Sequence, residues 1–564
     1  MHLKPALCSA TLLLALLLPL SANASSKLYV VYMGEKQHDD PSVVTASHHD
    51  VTQFPQVLSV KPNTYHKIQT TRSWDFLGLD YYQPPYRSSG ILQKAKYGED
   101  VIIGVIDSGI WPESRSFDDS GYGRVPARWK GTCETGPGFN ATNCNRKIIG
   151  ARWYSKDLNG HGTHVASTIA GNHVGNVSYE GLGFGAARGG APRARLAIYK
   201  VAWGLRVETG EAAIVKAIDD AIRDGVDVLS LSLSGGGESF ASLHAVLGGI
   251  PVVFAGGNQG PAPQTVANVG PWVTTVAAST IDRSFPTVLS LGNKEKLVGQ
   301  SLYSVNITSD FEELTFIISD AATNFTGKIV LVYTTPQPAF GDAMSLIRDS
   351  GAKGIVIAQH TTNLLDGLAT CNDLKVPCVL VDFEVARRIV SYCTNTRKPV
   401  MKVSPAVTFV GDEVPSPRVA AFSSRGPSAT FPALLKPDVA APGASILAAK
   451  GDSYVFLSGT SMACPHVSAI TALLKAVHPD WSPTMIKAPT GVAVCVEPSV
   501  ITFTQGDLQG RHATFKVTFT AKRRVQGGYT FGSLTWLDGN AHSVRIPIAT
   551  RIVIQDMMAV ADVS

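Results

Sequence analysis

A doubly wound α/β fold with a parallel sheet is predicted for the middle of this chain, and three observations predict it. Apolar, strand-length runs recur at Val101–Ile106, Arg195–Val201, Val226–Leu233, Pro251–Ala255 and Trp272–Ala277. Their near-continuous apolar character is that of strands buried on both faces. Between them, Glu211–Arg223 places Ile214, Ile218, Ala221 and Ile222 on one helical stripe, and strands alternating with helices imply parallel crossovers. Finally, the first run reads VIIGVIDSGI and ends in Asp107, at a strand carboxyl end, where open α/β sheets place their functional crevice.

The 564 residues leave room for several domains, and 45% hydrophobic with 16% charged residues is a globular composition. The formal charge of +5 is small for this length and no Lys/Arg run stands out, which argues against nucleic acid as a partner. Met1–Ala24 has a basic residue, Lys4, an apolar centre Leu12–Leu20 and a small-x-small end, Ala22-Asn23-Ala24. This is the pattern of a secretory signal peptide. The apolar run is too short to span a bilayer, and no later stretch approaches that length, so a secreted chain without a membrane segment is expected.

Four stretches carry chemistry. In LSGTSMACPHV, Ser461 stands at the start of a helix-forming run, where unpaired N–H groups and the helix dipole suit either a nucleophile with its oxyanion or a simple cap. In VIIGVIDSGI, Asp107 is either a buried carboxylate at the crevice or a turn residue. In NGHGTHVASTIA, His161 lies between two glycines before a helical run. The pair His161 and His164 has no partner Glu of the zinc-protease kind, which ranks a single imidazole base above a metal site. In PVVFAGGNQGP, Asn258 is either turn chemistry or an oxyanion donor.

The chain order Asp, His, Ser with an Asn before the Ser is the subtilisin order of the catalytic triad. IDSGI, GHGTHVAST, AGGNQGP and SGTSMACPH resemble the signature segments of the subtilisin-like serine proteases, and SSRGPS with LKPDVAAPG resembles the plant subtilases of the cucumisin type. The resemblance implies a secreted, extracellular (apoplastic) serine endopeptidase with Asp107, His161 and Ser461 as catalytic residues and Asn258 as oxyanion donor. It also implies that Leu231, Ser232, Leu233 and Gly235 form an extended strand pairing with substrate backbone. Protein or peptide substrates are its partners, and no cofactor or metal is required.

The same resemblance divides the chain. Residues 25–70, with strands at KLYVVYMGE and FPQVLSVKPN, are similar to an inhibitor-type propeptide that helps folding, with processing near Thr70 or Thr71. Residues 71–300 and 407–489 form the catalytic domain. Residues 301–406 resemble an inserted protease-associated domain, linked to homodimerisation or to substrate access, with strands at Gly327–Tyr333, Gly354–Ala358 and Val376–Val381 and helices at Asp342–Ser350 and Glu384–Ser391. Residues 490–564 resemble part of a fibronectin type III-like β-sandwich, with strands read at VITFTQ, ATFKVTFTA, YTFGSLTWLDG and HSVRIPIATRIVI.

The family pattern is shortened in the propeptide body, ahead of Gly160 and after Lys487, at abrupt junctions such as Asp50-Val51 and Lys487-Ala488. The alternative reading is therefore a catalytically inert or misfolding subtilase-like product of an incomplete gene prediction. Seven cysteines follow the signal. Cys133 and Cys144, bracketing a short loop, are the expected disulfide, a second pair is plausible among Cys371, Cys378 and Cys393, and Cys464 is expected to be a buried small residue rather than a thiol nucleophile. Asn140, Asn176, Asn306 and Asn324 head glycosylation sequons.

Overall fold

The computed structural model describes residues 72–81, 90–153, 156–204, 209–235, 237–304, 310–316, 325–334, 347, 350–360, 376–432 and 434–487, together with the strand segments 29–32, 59–62, 492–497, 516–521, 530–537 and 543–550. The chain divides into two compact units, Met1–Ile68 and Gln69–Ser564. In the first unit Tyr29–Tyr32 pairs antiparallel with Ser59–Pro62, and these segments lie within the two strands read from the propeptide-like sequence.

The second unit is built on a seven-stranded sheet in the order Val439–Pro442, Thr274–Ser279, Val252–Ala255, Val228–Leu231, Ile102–Asp107, Arg195–Lys200, Ile148–Arg152. Every pairing within it is parallel. All five strands expected from the apolar runs are in this sheet. Ile102–Asp107 is the earliest of the seven in sequence and sits inside the sheet, so the strand order reverses beside it. Asp107 is the last residue of that strand, at the switch point.

The strand is buried on both faces, which explains its lack of alternation. Ile103 and Val105 pack into one core with Val165, Ile169 and Leu473. Ile102 and Ile106 pack into the other with Ile214, Ile218 and Phe254. The first core holds the helices His161–Ala170 and Thr460–Val477, and the second holds the helix Glu211–Asp224.

The segment after the expected processing point is anchored in the first core. Trp74 is fully buried, its ring 4.5 Å from that of His466 on the Thr460–Val477 helix. His466 donates from Nδ1 to the Met462 carbonyl at 2.8 Å and accepts from Ser73 Oγ at 2.8 Å. Arg72 holds Asp282 through both carboxylate oxygens. Gly190 is glycine for this contact, since a Cβ there would lie 2.2 Å from the Trp74 ring. We expect Trp74→Ala to cost about 3–5 kcal/mol, the usual range for emptying a buried aromatic site, read as a lower urea midpoint.

A closed barrel interrupts the sheet between Thr274–Ser279 and Val439–Pro442. It runs Pro286–Leu291, Lys296–Gln300, Cys378–Asp382, Gly354–Gln359, Lys328–Tyr333, Glu312–Phe316, Val400–Val403 and back to the first strand. Its first two strands, Pro286–Leu291 and Lys296–Gln300, precede the residues 301–406 read as the insert. The helix expected at Glu384–Ser391 is present as Phe383–Asn395, whereas all but Ile347 and Ser350 of Asp342–Ser350 lies outside the described residues. Beyond Lys487, Val492–Glu497 pairs with Lys516–Ala521 and Thr530–Leu537 with Ser543–Thr550, both antiparallel. The strand read at VITFTQ lies outside the described residues.

Cys133 and Cys144 form the expected disulfide. Cys378 is also disulfide-bonded, and Cys393 and Cys464 are free. Asn140 and Asn176 are exposed, while Asn306 and Asn324 lie outside the described residues. Among the described residues no helix is long and apolar enough to cross a membrane.

Candidate active site

Asp107 is fully buried. Its Oδ1 accepts from the Ser108 N–H at 2.7 Å and from His161 Nδ1 at 2.7 Å. A carboxylate can only accept, so the imidazole proton sits on Nδ1 and Nε2 carries the free lone pair. The His161 side chain is 23% exposed, so that lone pair is within reach of a reactant. Burial pushes the His161 pKa down, but the Asp107 charge and hydrogen bond outweigh it, and the net shift is upward from 6.5.

The flanking glycines have separate reasons. Gly160 has a left-handed φ of 90°, and a Cβ on Gly162 would meet the Gly109 carbonyl oxygen at 2.3 Å. The close approach of Gly162 brings the start of the His161 helix against the Asp107 turn.

Asp157 completes this junction. Its carboxylate accepts from Gly160 N at 2.8 Å, Thr163 N at 2.9 Å, Thr163 Oγ1 at 2.5 Å and Ser108 Oγ at 3.0 Å. Ser108 Oγ in turn accepts from Gly162 N at 2.9 Å. The residue after Asp107 and the first turn of the His161 helix are thus tied through one buried carboxylate. Sequence reasoning missed Asp157, although an Asp just ahead of a helix start is a recognisable capping signal.

The Thr460–Val477 helix places Ser461 in its first turn. Asn258 Oδ1 accepts from Thr460 N at 2.8 Å and Thr460 Oγ1 at 2.9 Å. This fixes which end of the amide is which and leaves Nδ2 as the outward donor. Gly459 lies beside this amide, the place of its absent Cβ being 3.4 Å from Asn258 Nδ2, an ordinary contact distance. Both roles read for Asn258 and for this helix start, cap and donor, are therefore compatible.

The structure brings Asp107 and His161 together but does not join Ser461 to His161. Ser461 Oγ donates instead to the Ser232 carbonyl at 3.0 Å. The reverse contact, Ser232 Oγ to the Ser461 carbonyl at 2.8 Å, has a local cause. Pro465 lies one turn on and has no N–H, so it cannot bond that carbonyl.

The segment read as a substrate-pairing strand also differs. The strand ends at Leu231, and Leu231, Ser232 and Leu233 are buried. Asn268 Nδ2 donates to the Leu233 carbonyl at 2.8 Å and Asn268 Oδ1 accepts from Gly235 N at 3.0 Å. With a φ of 105°, Gly235 turns the chain away from extended geometry. Much of the backbone expected to pair with substrate is therefore engaged internally, and Ser234 and Gly235 are the exposed residues of the stretch. The LSLSG pattern gave no sign of the Asn268 contacts, which come from 33 and 35 positions away.

Cys464 is buried among the Val253 carbonyl at 3.5 Å and the Leu231 carbonyl at 3.7 Å, and burial pushes its thiol up to about 11. It is the inert small residue the sequence suggested. His164 turns the other way from His161, with Nε2 on the Ile446 carbonyl at 3.0 Å, and burial lowers it to about 3.

Residues 98–491 match the model of the Subtilase family, and residues 476–550 match a fibronectin type-III domain. Subtilisin-like protease SBT3.9 of Arabidopsis thaliana is 41% identical over 553 residues, covering 82% of this chain and 71% of that protein. Subtilisin-like protease SBT3.10 of the same plant is 41% identical over 555 residues, with 82% and 71% covered. Subtilisin-like protease SBT3.8, also from Arabidopsis thaliana, is 40% identical over 568 residues, with 83% and 72% covered. With a family match across most of the chain and relatives this similar over most of their own length, the chain belongs to the subtilase family and is a plant subtilisin-like serine peptidase.

Proposed function

We propose that this chain is a secreted endopeptidase that cleaves protein or peptide substrates through Asp107, His161 and Ser461, with Asn258 and the Ser461 N–H as oxyanion donors. The observation that carries the reading is the Asp107–His161 bond at 2.7 Å, which leaves Nε2 unprotonated and partly exposed. The reading requires the Ser461 hydroxyl, which donates to the Ser232 carbonyl, to turn to Nε2 when substrate binds. Catalytic hydrogen bonds often tighten only with substrate bound.

His161 then takes the Ser461 proton as Oγ attacks the scissile carbonyl. Asp107 holds the tautomer and stabilises the imidazolium. The oxyanion meets Asn258 Nδ2, whose sister oxygen is held by Thr460. His161 returns its proton to the leaving amine, and water repeats the sequence on the acyl-enzyme.

Met1–Ala24 acts as the secretion signal and residues 25–70 as inhibitor and folding aid. The division of the chain between Ile68 and Gln69 supports processing close to Thr70 or Thr71. The barrel is the protease-associated domain. Phe285, just ahead of its first strand, packs 4.9 Å from Phe456 on the hairpin leading into Ser461. That contact favours a role in substrate access over homodimerisation.

The inert alternative has one observation in its favour, the aim of Ser461 Oγ at Ser232. Hydrolysis of an extended peptide by the secreted chain separates the two readings. Cleavage abolished by Ser461→Ala supports the enzyme, and no cleavage by a folded wild-type chain contradicts it.

For Asn258→Ala we expect kcat to fall about 10²–10³-fold with little change in KM. This size is taken from the equivalent donor of a subtilisin, not from this chain. A rise in KM at constant kcat would instead assign Asn258 to ground-state binding.

A further inference from the structure

We infer that Lys450 selects an acidic substrate side chain in the first two residues after the scissile bond. The inference rests on the proposed proteolysis and names a subsite for it. A cleft of about 450 Å³ opens beside the His161 loop, with Gly160, Leu457, Trp111, Val455 and Lys450 among its lining residues. Gly160 directly precedes His161, and Leu457 stands four residues before Ser461, so the cleft is lined by the segments that lead into both reacting residues.

Its flank follows from the chemistry. Asn258, the proposed oxyanion donor, does not line it, and neither do Ser232 and Gly235. His161 delivers its proton to the leaving amine, so the leaving half of the peptide passes on the His161 side. The cleft next to Gly160 receives that half.

Lys450 supplies the charge. Its stem lies flat over Gly160, since a Cβ on Gly160 would be 2.4 Å from its Cγ and 2.8 Å from its Cε. The left-handed φ of 90° at Gly160 calls for glycine in any case, and the absence of a Cβ lets the Lys450 stem lie next to the residue that precedes the base. Among the described residues no carboxylate forms an ion pair with Lys450. Asp157 is the other charged residue of the lining, and it is engaged, as are Asp452 and Lys156 next to lining residues in the chain. Asp157 accepts from Gly160, Thr163 and Ser108, and Asp452 accepts from Trp111 Nε1 at 3.0 Å. Lys156 pairs with Glu113 at 2.6 Å and sits 3.6 Å over the Trp111 ring. Trp111 and Leu457 give apolar walls for the methylenes of a Glu, with its carboxylate at Lys450. The Lys450 charge also opposes protonation of His161, as the smallest of the influences on that ring.

The test uses internally quenched peptides identical except for Glu, Gln or Lys at the first or second position after the cut. For the wild type we expect Glu over Lys by about tenfold in kcat/KM at one of the two positions, a few-fold gain and a few-fold penalty of the size of well-placed surface charge pairs. Lys450→Glu should invert the ratio. Should that variant fail to fold, the wild-type ratio still reports, because it should fall toward one as salt is raised. A Glu/Lys ratio within twofold at both positions, a salt-independent ratio, or a ratio unchanged in Lys450→Glu would overturn the subsite. Failure of the proteolytic reading looks different: no peptide is cleaved, or cleavage survives Ser461→Ala, and the subsite falls with it.

Discussion

Ser461→Ala should lose about 10⁶ of turnover, the size measured when the nucleophile of a bacterial subtilisin is removed. The argument for so large a loss is that the remaining groups act only through this oxygen. His161 Nε2 has no other proton to take at the start of the reaction. Asp107 acts only by holding that ring at 2.7 Å. Asn258 and the helix start can still stabilise an oxyanion formed by water attack, so a residual rate above the uncatalysed one should persist. The fold should tolerate the change. The hydroxyl's one contact is with the Ser232 carbonyl, at a partly exposed position where water can replace it. Unchanged peptide binding with turnover lost is the expected result. A variant that keeps more than a hundredth of wild-type kcat would remove Ser461 from the mechanism.

Asp107→Asn should cost about 10⁴ in kcat with the site otherwise intact. An Asn amide donates where the carboxylate accepted, which favours the tautomer with the proton on Nε2. That nitrogen then has no lone pair for the Ser461 proton. The pH profile gives a second readout. In the wild type kcat/KM should rise with pH through a His161 pKa above 6.5, because the neutral ring is the base and Asp107 raises its pKa despite burial. In Asp107→Asn the raising charge is gone, and the limb should move to lower pH.

The stability sign is the opposite of the activity sign. A raised folded pKa stabilises the fold fully below the ordinary imidazole value, and that contribution is lost as pH rises through the raised value. The wild type should thus be most helped by this pair at the pH where it is least active. An activity limb at the same pH in both proteins would show that His161 is not the titrating base.

The sheet was legible because its strands are buried on both faces and so read as near-continuous apolar runs of strand length. Asp107, His161, Asn258 and Ser461 were legible because each sits in a short segment whose neighbours are constrained for stated reasons. Gly162 is limited by the Gly109 carbonyl, and Gly257 by its φ of 99° and the Ser424 hydroxyl. What was not legible depends on contacts between distant segments. The Asn268 staple on Leu233 and Gly235 and the Asp157 tie to Ser108 join residues that no local pattern relates. The extended strand expected through Gly235 came from the family resemblance of LSLSG, and the bend at φ 105° depends on contacts that this pattern does not contain. The first two barrel strands lie ahead of the residues 301–406 read as the insert, and their membership of the barrel depends on pairing partners, not on residue types.

The most direct measurement is the site of covalent capture by a fluorophosphonate. The folded chain is treated with the reagent, digested, and the modified residue located by mass spectrometry. The account predicts one adduct, on Ser461, formed faster as pH rises through the His161 limb, abolished by prior unfolding and absent in Ser461→Ala. An adduct on another residue, or an unlabelled Ser461 in a cooperatively folded protein, would contradict it.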